Sequence, residues 1–365
     1  MTTLQPTYAL PPLPPPAEFE TVAILHALAD AHRHLAEMKG RAVAVPNPGV
    51  LIDTLSLQEA RASSEIENIV TTQDELFQAT LFSQSRQDTV AKEVARYGEA
   101  LRQGFDEMQR RELLLTNNLL VEVYRTLLLR SDGFRVIAGT ALFNEASGTV
   151  VYVPPQEAGE IVRHMTALER FINDDAACDL DPLIKMAVIH HQFESIHPFS
   201  DGNGRVGRIL NVLYLVRSGL LDTPILYLSR AINRSKNEYY RLLQAVREDE
   251  AWEEWVLYIL HAVSETAQAT LQLITGIGDL MLEMKHEMRG KLPRVYSQDL
   301  LNNLFRHPYT KIDYVQRDLQ VTRQTVARYL DQLTEEGFVT KFRVGRGNYY
   351  INHRLAALLA AAEED

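Results

Sequence analysis

The sequence predicts a mainly α-helical protein, with a large helical core, one small β-hairpin and a C-terminal winged helix-turn-helix. Three observations carry this. Apolar residues recur at three- and four-residue steps through most of positions 18–288. The one β-like run in that stretch is TVVYVPPQ at 149–156, a brief β-branched and aromatic alternation stopped by two prolines. Beyond Gly290 the pattern changes to short helix, turn, longer helix and basic hairpin. A chain of 365 residues exceeds one ordinary core, so it is divided into 1–110 (a Pro-rich arm and N-terminal helices), 111–290 (the helical core) and 291–365 (the winged helix).

Taken in order, PPLPPP at 11–16 is an extended arm, expected to pack along the protein's own surface. ETVAILHALADAHRHLAEMKG then reads as a helix stopped at Gly40. A loop, VPNPGV, leads to a second helix in SLQEARASSEIENI, and Thr72 to Glu75 (TQDE) form a capping box for a third. Further helical runs fall at 90–112, 116–129, 157–174, 181–196, 204–218, 235–248 and 251–288. The break GKLPRVYS precedes a short helix, a turn at 319–322, a helix over 323–336 closed by Gly337, and two strands around GRGN at 345–348.

Composition removes several function classes. Cys178 is the single cysteine, which excludes an intrachain disulfide and a cysteine zinc cluster. The N-terminal residues lack a basic region followed by an apolar one, and ILNVLYLVRSGLL is interrupted by Arg217, so neither a secretory signal nor a membrane span is expected. A cytoplasmic setting follows. Net charge is −11, yet from Arg306 to Arg354 nine basic residues stand against five acidic ones. The locally basic C-terminal end calls for an explanation.

The densest chemistry lies in HPFSDGNGRVGR at 197–208. Pro198 disfavours helical backbone at the residue before it, so a helix ends near His197 and the histidine faces the loop. The glycines of Asp201-Gly202-Asn203-Gly204 bring backbone N–H groups into a concavity, and the helix restarting at RVGRIL adds its positive end. That is a cradle for phosphate. Arg205 and Arg208, three residues apart in the first turn, are expected to aim at one anion. Asp201, the lone acid, suits Mg2+ beside a polyphosphate. His190, Glu194, His197 and Asp201 are spaced 4, 3 and 4, which on a continuous helix would make a transition-metal face; Pro198 and the glycines break that helix.

This stretch matches HPFx(D/E)GNGRxxR at every fixed position, and the chain resembles the Fic family, with a Fic-type helical core, a hairpin flap, a Pro-rich arm and a winged helix. The resemblance implies a protein adenylyltransferase that moves AMP from ATP to a target hydroxyl. Carried over, His197 would be the base and Asp201 would hold Mg2+. Gly202, Asn203 and Gly204 would bind phosphate oxygens, Arg205 and Arg208 would steady the β- and γ-phosphates, and Val206 and Gly207 belong to the same nucleotide loop. Phe199 would anchor the loop in the core. A histidine of ordinary pKa, about 6.5, suits this task. The hairpin would be the flap, with Val151 and Tyr152 lining a target segment. Tyr239 and Tyr240, with Arg247 further along, fall where relatives contact adenosine. SSEIEN at 63–68 matches the family's inhibitory pattern (S/T)xxxE(G/N), so Glu67, on one helix face with Ser63 and followed by Asn68, would pair with Arg208 and occupy the γ-phosphate's space.

Three alternatives stay open: a nucleotide-sensing regulator that binds DNA, removal of AMP by the same site, and transfer of a different phosphoryl group. The winged helix offers Arg323, Gln324, Arg328, Arg343, Arg346 and Tyr349 to DNA or to a protein, and the resemblance makes a homodimer possible.

Overall fold

The computed structural model describes residues 4–45, 47–71, 75–76, 89–143, 148–176, 178–344 and 347–364. Helix α1 (Val22–Val43) is capped by Thr21, whose hydroxyl accepts the Ile24 N–H, and buries Ile24, Ala27, Ala31, Leu35, Met38 and Ala42 on one stripe. That stripe lies along α10 (Trp252–Lys291), whose 40 residues make it the longest helix among those described. Helix α2 (Pro48–Ile66) begins inside the stretch expected to be a loop. Asn47 caps it by accepting the Gly49 N–H, and Pro48 fits the first turn, where no amide is needed. The capping box at 72–75 falls mostly outside the described residues.

Helices α3 (Thr89–Arg110) and α4 (Asn117–Leu128) pack together, and α3 also packs on α2. Strands β1 (Leu142–Phe143) and β2 (Val150–Tyr152) form a two-stranded antiparallel hairpin pairing Leu142 with Tyr152. Helix α5 (Ala158–Asn173) leads to α6 (Pro182–Ile196), in which every residue from Leu183 to Ile196 is buried. A helix apolar or buried all round belongs at the centre of a fold, and α7 (Asn203–Arg217) lies directly against it. Helices α8 (Ser229–Arg234) and α9 (Lys236–Asp249) then lead into α10. The Pro-rich arm packs along the protein's surface: Thr7 N–H donates to Val153 O, Val153 N–H returns to the Thr7 hydroxyl, and Pro15 and Phe19 are buried.

The C-terminal part is a winged helix-turn-helix. It comprises α11 (Gln298–Arg306), β3 (Tyr309–Lys311), α12 (Ile312–Leu319), α13 (Arg323–Glu335), β4 (Thr340–Val344) and β5 (Gly347–Ile351). The antiparallel sheet runs β3-β5-β4, with Phe342 opposite Tyr349 and Arg343 opposite Asn348. Helix α14 (His353–Glu364) returns to pack on α10. Two polar ties reach α2 from this end: Arg306 to Asp53 at 2.9 Å, and Gln58 Nε2 to Leu359 O at 2.9 Å. Among the described residues, no helix is long and apolar enough to cross a membrane.

Candidate functional site

Helix α6 ends at His197, which adopts a left-handed conformation (φ 49°) while its N–H still donates to Phe193 O. A non-glycine residue there costs on the order of 1 kcal/mol, and two groups hold it in place. Arg135, 6% exposed, donates Nε–H to His197 O at 2.8 Å and reaches Pro155 O with Nη2. Phe199 is fully buried, stacked on Tyr124 at 4.1 Å between centroids. Nothing in the sequence around Arg135 announces this role; an isolated arginine in DGFRVIAG carries no spacing signal.

The loop closes through Asn203. Its Oδ1 accepts the Phe199 N–H at 2.8 Å and its Nδ2 donates to Phe199 O at 2.9 Å. The Asn203 side chain is therefore committed to shaping the loop, and what it can offer an anion is its backbone N–H. Gly202 caps α7 with φ 68°, and a Cβ there would press on Leu128 at 3.1 Å. In the first turn of α7 the amides of Asn203, Gly204 and Arg205 have no intrahelical acceptor, which leaves donors at the positive end of the helix. Asp201 is exposed at the mouth, with Oδ1 accepting the Gly202 N–H at 2.7 Å. Among the described residues there is no group of three or more His, Cys, Asp or Glu side chains able to hold a metal. An ion at Asp201 would draw its other ligands from phosphate and water, the usual setting of Mg2+ beside a polyphosphate.

Arg208, 2% exposed, is engaged by the C-terminal end of α2. Its Nε donates to Ser63 Oγ at 2.8 Å, and its Nη2 to Ser63 O and to Glu67 Oε1, each at 2.9 Å. Asn68, next in the chain, takes a left-handed turn (φ 60°) and accepts Lys236 Nζ at 3.0 Å. Glu67 Oε1 lies against Gly204 so closely that a Cβ on that glycine would overlap it. The inhibitory residues expected from the sequence and the phosphate cradle therefore meet at one point.

Arg205 does not join them. Although it is three positions from Arg208, its guanidinium turns toward α3 and pairs with Glu93 at 2.8 Å. Successive helix residues are rotated by about 100°, so i and i+3 differ by about 60°, enough for long side chains to diverge to different neighbours. Val206 is core, and Gly207 admits Phe193 and Glu194 against the backbone.

The adenosine and flap residues also separate. Tyr239 is 2% exposed and its hydroxyl is 2.9 Å from His190 Nε2 in a cluster with Trp255, whereas Tyr240 is 45% exposed. Tyr152 is 1% exposed, donates to Ser195 O and lies under the Arg247 guanidinium at 3.8 Å. Val151, pointing the other way, is 41% exposed, as strand alternation requires. A target segment on this strand would meet Val151 and backbone, not the Tyr152 ring.

Electrostatics differ from the ordinary values assumed for the sequence. Burial, with the Arg135 and Arg247 guanidiniums, lowers the His197 pKa to about 4, so the ring is neutral at pH 7. Two buried carboxyls go the other way. Burial raises Glu194, one turn before His197, to about 7, and its Oε1 has no hydrogen-bond partner. Glu59, on α2, is likewise raised to about 7 by burial, although the Tyr97 hydroxyl and Ser229 Oγ–H donate to it. Glu59, Ser63 and Glu67 thus form a stripe that fixes α2 against α3, α8 and α7.

On the winged helix, Arg323, Gln324, Arg328 and Arg343 are exposed, Tyr349 is half-buried, and Arg346 lies outside the described residues. Arg323 is paired with Asp313 at 2.6 Å and Lys341 with Asp331 at 2.7 Å. These acids offset part of the basic excess on that face.

Comparisons with known proteins agree with this architecture. A Fic/DOC family N-terminal model matches residues 25–106, a Fic/DOC family model 114–215, and the C-terminal domain model of SoFic-like protein adenylyltransferase 280–355. Protein adenylyltransferase Fic of Drosophila yakuba is 32% identical over 152 residues, 41% of this chain and 29% of that protein. Protein adenylyltransferase fic-1 of Caenorhabditis elegans is 32% identical over 98 residues, 26% and 18% of the two chains. The chain thus spans less than a third of the length of these curated relatives. Among solved structures, a Fic family protein from Desulfovibrio desulfuricans superposes with TM-score 0.55 at 19% identity, covering 95% of this chain and 98% of that one. A Fic domain containing signaling protein from Bacteroides thetaiotaomicron gives 0.53 at 20% identity, covering 67% and 95%. These two share the fold. With its N-terminal and central models together matching half of its residues, the chain belongs to the Fic/DOC family.

Proposed function

We propose that this chain is a protein adenylyltransferase that moves AMP from Mg-ATP to a hydroxyl side chain of a target protein and of itself, and that Glu67 restrains it through Arg208. The observation that carries the reading is the contact of Glu67 with both Arg208 and the Gly204 backbone, at a helix N-terminus suited to phosphate. The names of the adenylyltransferase relatives support the reaction type.

In the reaction, the target Ser, Thr or Tyr oxygen bonds to the α-phosphorus and its proton passes to His197. The bond from that phosphorus to the bridging oxygen breaks, and pyrophosphate leaves. His197 is neutral at pH 7 and so can accept the proton. Burial is the larger cause of its low pKa, and the incoming phosphate charge opposes the part that Arg135 and Arg247 add, which makes it a stronger base once nucleotide is bound. Asp201 would hold Mg2+, which offsets charge on the phosphates. The amides of Gly204 and its neighbours orient phosphate oxygens, Arg208 takes the outer phosphate when Glu67 withdraws, and Arg205 supports the loop from behind through Glu93. A target segment aligns beside β2 at Val151. A single cysteine suits a reducing, cytoplasmic setting.

The test uses ATP labelled at either end of its phosphate chain. Adenylyl transfer leaves the α-label on protein and the γ-label in pyrophosphate; γ-label on protein would move the chain to phosphoryl transfer.

A further inference from the structure

A second feature of the molecule lies away from the glycine-rich loop. A cleft of about 640 Å³ runs between α2 and α3 on one side and α11, β3 and α12 on the other. Its walls carry Lys92, Arg96, Arg102, Arg306 and Arg317 against two carboxylates, Asp53 and Glu99, and Arg317 is also paired with Asp318 at 3.1 Å, so the cations still outnumber the acids. This is a cationic recess in a chain of net charge −11. Asp53 is shared: it pairs with Arg102 and, at 2.9 Å, with Arg306. One carboxylate between two guanidiniums leaves a positive excess. Clefts lined by one sign of charge between low-dielectric walls concentrate counter-ions, and planar guanidiniums match phosphate oxygens in pairs.

We propose that this cleft is a second anion site, which takes a polyphosphate chain, inorganic or carried by a nucleoside, at the junction of the winged helix and α2. Part of the basic excess of the C-terminal segment faces inward here, toward α2 and α3, and not toward the exposed face of α13. A polyphosphate in the cleft competes with Asp53 for Arg102 and Arg306. Asp53 stands on the helix that ends at Ser63 and Glu67, so binding loosens one of the ties that hold α2; that consequence rests on the reading of Glu67 as a brake.

Calorimetric titration of the full-length Glu67→Gly protein with inorganic tripolyphosphate, at low and at moderate salt, tests the site. Two sites per chain are expected, both weakened by salt. The double change Lys92→Glu/Arg317→Glu, at partly exposed positions, should remove one site or weaken it at least tenfold and leave the other. One site that survives the double change at unaltered affinity overturns the cleft proposal. One site that the double change abolishes supports the cleft and counts instead against phosphate binding at the glycine-rich loop. Absence of any binding overturns the cleft. Thermal unfolding of the double variant within a few degrees of the parent shows that the fold is kept, and the single change Arg317→Glu gives the same reading if the double variant unfolds early. Repeating the titration with ATP separates the sources: equal affinity assigns the site to the phosphate chain alone, and ATP at least tenfold tighter assigns it to a nucleoside triphosphate.

Discussion

Replacing Glu67 with glycine should raise AMP transfer by about 10- to 50-fold, and the magnitude can be worked from the contacts it removes. Glu67 contributes one charge-assisted hydrogen bond to Arg208 at 2.9 Å. Such a bond is worth about 1.5–3 kcal/mol, and because the Glu67 side chain is 33% exposed the lower part of that range applies. At about 1.4 kcal/mol per factor of ten, detachment of Glu67 is disfavoured by roughly 10- to 50-fold, and the phosphate space against Gly204 is blocked for the same fraction of time. Arg208 stays oriented without Glu67, because Ser63 holds it through two further bonds. The substitution therefore removes the obstruction without releasing the arginine. The assay is the initial rate of pyrophosphate release and of α-label incorporation at saturating Mg-ATP. Glu67→Gln, which keeps the volume and loses the charge, should fall between the parent and the glycine variant. A change of less than about threefold for Glu67→Gly would refute the reasoning.

In the Glu67→Gly background, His197→Ala should lower transfer by about 10²–10⁴ with ATP affinity little changed, and a parallel loss of affinity would assign His197 to binding instead. Because burial and two guanidiniums hold the His197 pKa near 4, the acid limb of kcat/KM against pH should lie near 4; a limb near 6.5 would contradict that environment. Gly204→Ala should destabilise the parent by about 1–3 kcal/mol, because its Cβ would overlap Glu67 Oε1 and press on Arg208 Nη1 at 2.9 Å. The loss should be smaller in the Glu67→Gly protein, where only the Arg208 contact remains, as urea midpoints of a double-mutant cycle will report. Glu59, raised by burial from the usual carboxyl range to about 7, keeps in the folded state a proton that the unfolded chain gives up. Its contribution to stability is therefore lost as pH rises from about 4.5 to 7. Glu59→Gln should flatten that decline by up to about 3 kcal/mol between pH 4.5 and 8, and an unchanged slope would remove Glu59 as its source.

Much of this molecule was legible because local signals agreed with tertiary packing. The 3.6-residue periodicity marks α1, α3 to α7, α9 and α10 within a few residues, and the loop chemistry of 197–208 follows from Pro198 and the glycines. What escaped was settled by partners distant in sequence. Helix α8 is only six residues long and has too few turns to show a period. Helix α14 did carry a signal, since Asn352 Oδ1 caps it by accepting the Leu355 N–H, but an alanine-rich tail reads equally well as a frayed end. Sequence spacing put Arg205 beside Arg208; Glu93, more than a hundred residues away, redirected it. Tyr239 fell next to Tyr240 in the sequence, and helix geometry sent one ring to the core and the other to solvent. The Glu67–Arg208 pairing was legible through family resemblance alone, because a glutamate on a polar helix face has no distinguishing pattern of its own.

The central claim is that one loop transfers AMP under restraint from Glu67. Intact mass after incubation with Mg-ATP tests it most directly, on the parent chain, Glu67→Gly and Glu67→Gly/His197→Ala. AMP-sized additions on the Glu67→Gly protein, far fewer on the parent and none on the double variant are the predicted result. Equal AMP-sized additions on all three proteins, or phosphate-sized additions on any of them, would contradict it.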